Sequence, residues 1–132
     1  MKSFWILVFY VGAILAGALL IEPTSAAAQL NQGERLWFHC RACHTLHHGE
    51  PHKLGPNLYG IINAPAATRN GYRYSEALAS SGIIWDDATL DRWIKRPDDV
   101  LVGHRMIYRG MRDPQRRADL IDFMKVQTGV NN

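Results

Sequence analysis

The sequence predicts an all-α fold, a few helices joined by long loops. Three observations carry that expectation. No run of the chain alternates apolar and polar residues in the manner of a half-buried strand. Several stretches instead place a capping residue ahead of apolar positions at helical spacing. Between them, positions 45–70 show little periodicity and hold Pro51, Pro56 and Pro65 among scattered glycines and asparagines. A loop of that length in a small domain is usually functional or wrapped on something.

At the amino end, Lys2 is the only early charge, and Phe4 to Ile21 is apolar apart from the Tyr10 hydroxyl. Ala26-Ala27-Ala28 follows as a small-residue cleavage pattern, with Gln29 as the expected new terminus. Residues 1–28 therefore read as a secretory signal peptide and 29–132 as the working domain. The rival is an uncleaved anchor, because the apolar run approaches the ~20 residues that cross a bilayer. Cleavage removes Lys2 and Glu22 together, so the net charge of +3 is unchanged. Such an excess suits an acidic protein surface and is too weak to argue for nucleic acid.

Asn31 and Glu34 stand at capping-box spacing, which predicts a helix start at Asn31. Gly33, Leu36, Trp37 and Cys40 then share one face. A helix-interior glycine costs ~1 kcal/mol relative to alanine, and close approach of a second helix would justify it. The alternative is simple fraying near the terminus.

Cys40-Arg41-Ala42-Cys43-His44 is the stretch on which the chemistry rests. Two thiols three residues apart, followed at once by an imidazole, form the c-type haem attachment pattern. Within one helical turn both sulfurs reach the two vinyl groups of one porphyrin edge, and His44 faces the iron. A redox dithiol would want a βαβ context and no dedicated histidine. A zinc site would need more ligands; His47, His48 and His52 lie nearby, but there is no second Cys pair. Both cysteines are consumed by one covalent haem c per chain, and none is left for a disulfide. With a small core of its own, the domain is expected to fold poorly without that apolar plate.

Gly55-Pro56-Asn57-Leu58 is the most informative part of the long loop. The Pro56 carbonyl could accept the free N–H of His44 and orient its ring; taken alone, Gly-Pro is a turn. Ser75 caps a short helix through Ala79, stopped at Gly82. Asp86 caps another, with Leu90, Trp93 and Ile94 on its apolar face, ended by Pro97. Asp113-Pro114 starts the last helix, with Leu120, Ile121, Phe123 and Met124 as its buried stripe and Gly129 near its close. Between these last two helices lies Gly103-His104-Arg105-Met106-Ile107-Tyr108-Arg109-Gly110. Met106 there is either a sixth iron ligand, soft and favouring the ferrous state, or a gap-filling core side chain.

Taken together, these pieces resemble the class I cytochromes c, the soluble bacterial kind similar to mitochondrial cytochrome c. The likeness runs from Gly33 to Thr128. It is carried by Gly33-x-x-x-Trp37, the haem motif, His52 to Gly60, Gly71 to Ser75, Gly82 to Trp85, Thr89 to Pro97, Gly103 to Gly110, and Arg117 to Met124. The resemblance implies a fold of a few helices and long loops wrapped around one haem. It implies Cys40 and Cys43 as thioether sites, His44 and Met106 as axial ligands, and Pro56 as acceptor from His44. Tyr74 and Trp85 would hydrogen-bond a haem propionate. Trp93 stands where the family has a tyrosine beside the methionine sulfur, and Gly33 and Trp37 would cross Leu120 and Phe123. The chain departs from the family at Ala64, often an arginine near the propionates, which leaves that charge to Arg69 or Arg73. Val102 replaces a proline, and Asp98 and Asp99 replace a pair often filled by lysines.

The expected function is an exported one-electron carrier with His/Met ligation, not an enzyme. Two axial ligands leave no open position on the metal, and no nucleophile triad or carboxylate pair has support in the sequence. The expected partners are redox proteins with acidic docking surfaces, with no nucleic acid and membrane contact only through redox complexes or an uncleaved anchor. A monomer in the periplasm is expected; the alternative is a membrane-anchored form facing it. A haem enzyme or gas sensor with an open sixth position, and a haem subunit of a larger complex, are the competing classes.

Overall fold

A computed structural model describes residues 25–129. The apolar segment of the expected signal peptide lies outside them. Helices α1 (Ser25–Trp37), α2 (Glu76–Ala79), α3 (Asp87–Lys95), α4 (Pro97–Val100) and α5 (Pro114–Gln127) are joined by long loops, and the fold is all-α as expected. None of these helices is long and apolar enough to cross a membrane.

α1 begins six residues ahead of the expected start at Asn31. Ala26-Ala27-Ala28 and Leu30 are strong helix formers that carry the helix upstream, so Asn31 and Glu34 sit exposed inside it rather than forming its cap. The expected cleavage point, Ala28–Gln29, falls within α1. The remaining caps are where the sequence put them. Ser75 accepts from Leu78 N at 3.2 Å, Asp86 from Thr89 N at 2.7 Å, and Asp113 from Gln115 N at 2.9 Å. Pro97 ends α3 and also opens α4, an element the sequence reading did not separate. Proline's fixed φ and missing N–H suit a first helical position.

α1 crosses α5 at Gly33. A Cβ there would lie 2.3 Å from the Asp119 carbonyl oxygen and 2.4 Å from the Phe123 Cβ, so only hydrogen fits between the backbones. Leu36, Leu120, Ile121, Phe123 and Met124 are buried around this crossing, and Trp37 packs against them. α3 adds Leu90, Trp93 and Ile94 from the other side of α5. Arg117, 6% exposed, ties the two helices together: Nε donates to Asp91 Oδ1 at 2.6 Å, and Nη1 donates to the carbonyls of Met111 and Arg112. A buried guanidinium needs such a full set of acceptors.

Among the described residues the nearest thing to a strand is one antiparallel bridge, Pro65 with Ile84. Asn63 N donates to Trp85 O, Trp85 N to Ala64 O, and Ala66 N to Ile83 O. This short ladder clamps the end of the long loop against the segment carrying Trp85.

Candidate haem-binding site

The motif forms a helical turn just beyond α1. Cys43 N and His44 N both bond to Cys40 O, at 3.0 and 2.9 Å. That turn faces a cavity of about 340 Å³ lined by all the expected site residues, Cys40, Cys43, His44, Pro56, Tyr74, Trp85 and Met106. Its walls are largely apolar, with Leu58, Ile61, Leu90, Ile94, Leu120 and Met124 among them. Both thiols are free. Burial first, then the neighbouring Cys43, pushes the Cys40 thiol up to about 11.

His44 Nδ1 donates to Pro56 O at 2.8 Å, which leaves Nε2 as the lone-pair nitrogen. Burial holds the imidazole below its ordinary pKa, against the pull of that bond, and so keeps it neutral. Gly55 makes the arrangement possible. A Cβ at that position would stand 2.2 Å from His44 Cε1, so any side chain would displace the ring.

The loop beneath is organised by Asn57, which the sequence did not single out. Its buried amide nitrogen reaches Thr45 Oγ1 at 2.9 Å, His47 O at 2.8 Å and Glu50 O at 3.1 Å, while Oδ1 accepts from Tyr59 N at 2.7 Å. His52 is part of the same frame: Nδ1 accepts from Asn57 N, and Nε2 bonds to Asn70 O. Both its nitrogens are committed. Among the described residues no group of three or more His, Cys, Asp or Glu could hold a metal ion.

Opposite the motif, the 101–110 loop delivers Met106. The Trp93 indole Nε1 donates to its sulfur at 3.3 Å, and the Trp93 ring packs edge-on against Trp85 at 5.0 Å. His104, an unexpected participant, accepts from Met106 N through Nδ1 at 3.1 Å and meets Asp98 Oδ1 through Nε2 at 3.0 Å. Asp98 thus supports the methionine loop rather than standing free. Met111, by contrast, is buried in the core.

At the remaining end of the cavity, Tyr74 Oη accepts from Arg69 N at 3.3 Å. Burial raises the Tyr74 pKa, so the phenol keeps a proton to donate. The Nε and Nη2 of Arg69 are buried and, among the described residues, find no acceptor. Two thiols, a neutral imidazole, a thioether, apolar walls and an unanswered cation make up a donor set that fits a haem and its carboxylates.

The chain is 35% identical to cytochrome c2 of Rhodomicrobium vannielii over 117 residues, 87% of this chain and 94% of that protein. It is 37% identical to cytochrome c of Sesamum indicum over 100 residues, 75% of this chain and 90% of that one. The fold is similar to that of cytochrome cH from Methylobacterium extorquens, with a TM-score of 0.69 and 35% identity, covering 74% of this chain and 97% of that one. No family profile matches the sequence.

Proposed function

Because the chain belongs to the class I cytochromes c, we propose that it carries single electrons with His44 and Met106 as the axial ligands of its haem. Proteins of this family are electron carriers and not enzymes, and they hold haem c covalently. The bound haem supplies the one-electron chemistry at its iron. Cys40 and Cys43 would hold the haem covalently through thioethers. His44 presents Nε2 because Pro56 holds Nδ1–H, and Met106 presents its sulfur because Trp93 and His104 hold the loop from two sides. Apolar walls keep water out, which limits reorganisation when charge changes.

The observation that carries this reading is that Met106, distant in sequence from His44, lines the same cavity while the other methionine of that region is buried elsewhere. The test is Met106→Ala. It should abolish the red sulfur-to-iron charge-transfer band of the oxidised protein, lower the potential and open a site for cyanide or carbon monoxide. Survival of the band without Met106 overturns the assignment. Attachment through both thiols is checked by mass and by resistance of the colour to acid-acetone extraction.

Redox proteins are the partners of this family. For this chain the docking face is expected to be weakly basic and to seek an acidic surface, with Arg105, Arg109 and Arg112 exposed near the methionine loop. Electron transfer to an acidic partner should slow as salt rises, since ~0.1 M salt screens charges beyond roughly 10 Å. A flat or rising rate would refute basic docking. We further propose export to the periplasm and a monomeric soluble form beginning at Gln29. Terminal sequencing of the native protein decides between that and a retained Phe4–Ile21 anchor.

A further inference from the structure

We propose that Arg69 is the counterion of a haem propionate, taking from a different loop position the task that the family's arginine would perform at Ala64. The inference rests on the haem of the proposed function, held at Cys40 and Cys43 with its carboxylates at the Tyr74 end of the cavity. A guanidinium carries five N–H donors and stays charged at any pH that a protein survives. Burying one without an anion is strongly unfavourable. Arg69, half-buried overall, does so at two atoms: Nε and Nη2 are sealed from solvent and find no acceptor among the described residues. The cavity cannot supply one, because no Asp or Glu lines it. Its charged lining groups are Arg69, Arg73 and Arg105.

The three arginines are not equivalent. Arg105 Nη2 is already bonded to the carbonyls of Arg73 and Tyr74, and Arg73 is solvent-exposed. Only Arg69 has buried donors left over. The backbone is bent to bring it there, with Asn63 and Ala67 both left-handed at φ 59° and 60°. Non-glycine residues hold such conformations where the surrounding structure enforces them, often at ligand sites. Thr68 Oγ1 closes the turn on Pro65 O at 3.0 Å. The Arg69 backbone N–H then meets Tyr74 Oη at 3.3 Å, the Arg69 charge acts on the phenol, and both side chains line the same cavity. A carboxylate between them would accept from both. Ala64 gives nothing to this end of the cavity except backbone bonds to Ile61 and Trp85.

The experiment uses the exported holoprotein, its haem confirmed by mass, in the Arg69→Gln, Arg69→Lys and Arg73→Gln forms. A cation beside the haem stabilises the reduced state. Arg69→Gln should therefore lower the midpoint potential and shift the propionate bending mode in the resonance Raman spectrum. Arg69→Lys should restore most of the potential, and Arg73→Gln should leave both readouts in place. In the unaltered holoprotein the Arg69 Nε proton should exchange slowly and show a cross-peak to a propionate methylene, a reading independent of whether any variant folds. An unchanged potential and Raman mode in Arg69→Gln, the same changes in Arg73→Gln, or a fast-exchanging Nε proton would overturn the assignment while the carrier reading stands. A chain whose mass lacks haem would overturn both.

Discussion

The Trp93 indole N–H points at the sulfur of Met106 from 3.3 Å. With Met106 as the proposed ligand, a donor on that sulfur would draw density from the thioether and weaken its bond to ferric iron more than to ferrous. Trp93→Phe should therefore lower the reduction potential while leaving the red band present. A hydrogen bond of ~1 kcal/mol corresponds to roughly 40 mV for a one-electron couple. A rise in potential, or loss of the band, in a redox titration would show that the ring supports ligation in another way.

Met111 separates stability from ligation. It is 9% exposed and sits in the core, with its backbone N–H bonded to Ile94 O at 2.8 Å. Met111→Ala should cost about 2–5 kcal/mol through the cavity it leaves. Its potential and charge-transfer band should match the parent. Denaturant melts and a spectrum of the same sample test both halves.

Gly33→Ala should destabilise although alanine is the better helix former. The gain in propensity is ~1 kcal/mol, while the new methyl would meet the Asp119 carbonyl and force α1 away from α5. Overpacking of this kind typically costs about 1–3 kcal/mol. An unfolding midpoint above the parent's would mean the crossing has slack.

Glu50 should introduce an acid-side dependence. Its carboxylate accepts from His47 N at 2.9 Å and Leu46 N at 3.1 Å, and the His47 bond is the main cause of its lowered pKa. The folded value lies below the ordinary 4.5, so its contribution is complete above that pH and fades as pH falls through the folded value. Glu50→Gln should flatten stability against pH in that acid window and leave the slope near neutrality alone. Urea midpoints at a series of pH values give the answer.

Most of this architecture was legible because it rests on local chemistry. Ser75, Asp86 and Asp113 cap helices through their own side chains, and the attachment motif closes within one turn. What the sequence hid depends on residues meeting across space. Asn57 reads as a turn residue until its amide is seen answering three segments of the loop. His104 reads only as a neighbour of Met106 until its ring is seen meeting Asp98 and the Met106 N–H. Arg69 could be named only as one of two arginines able to reach the propionates, because the turn that buries it depends on left-handed Asn63 and Ala67. The early start of α1 is hidden for another reason: the alanines read as a processing signal, and alanine is equally the best helix former.

The two sides of the cavity differ in how they would come apart. His44 belongs to a segment stitched by backbone bonds, Gly55 N to Cys43 O and Leu58 N to Thr45 O, and next to the α1–α5 crossing. The Met106 loop is fastened by backbone at its ends, Leu101 N to Pro97 O and Met111 N to Ile94 O, and between them only through side chains: the His104 imidazole, the Trp93 indole and the Arg105 guanidinium on the Arg73 and Tyr74 carbonyls. Ile107 beside it is fully exposed. Local opening follows the sparser network. Amide exchange should thus pass through a partly open form in which 102–110 has swung out while the helix crossing stays shut, so this molecule would let go of sulfur long before it lets go of nitrogen.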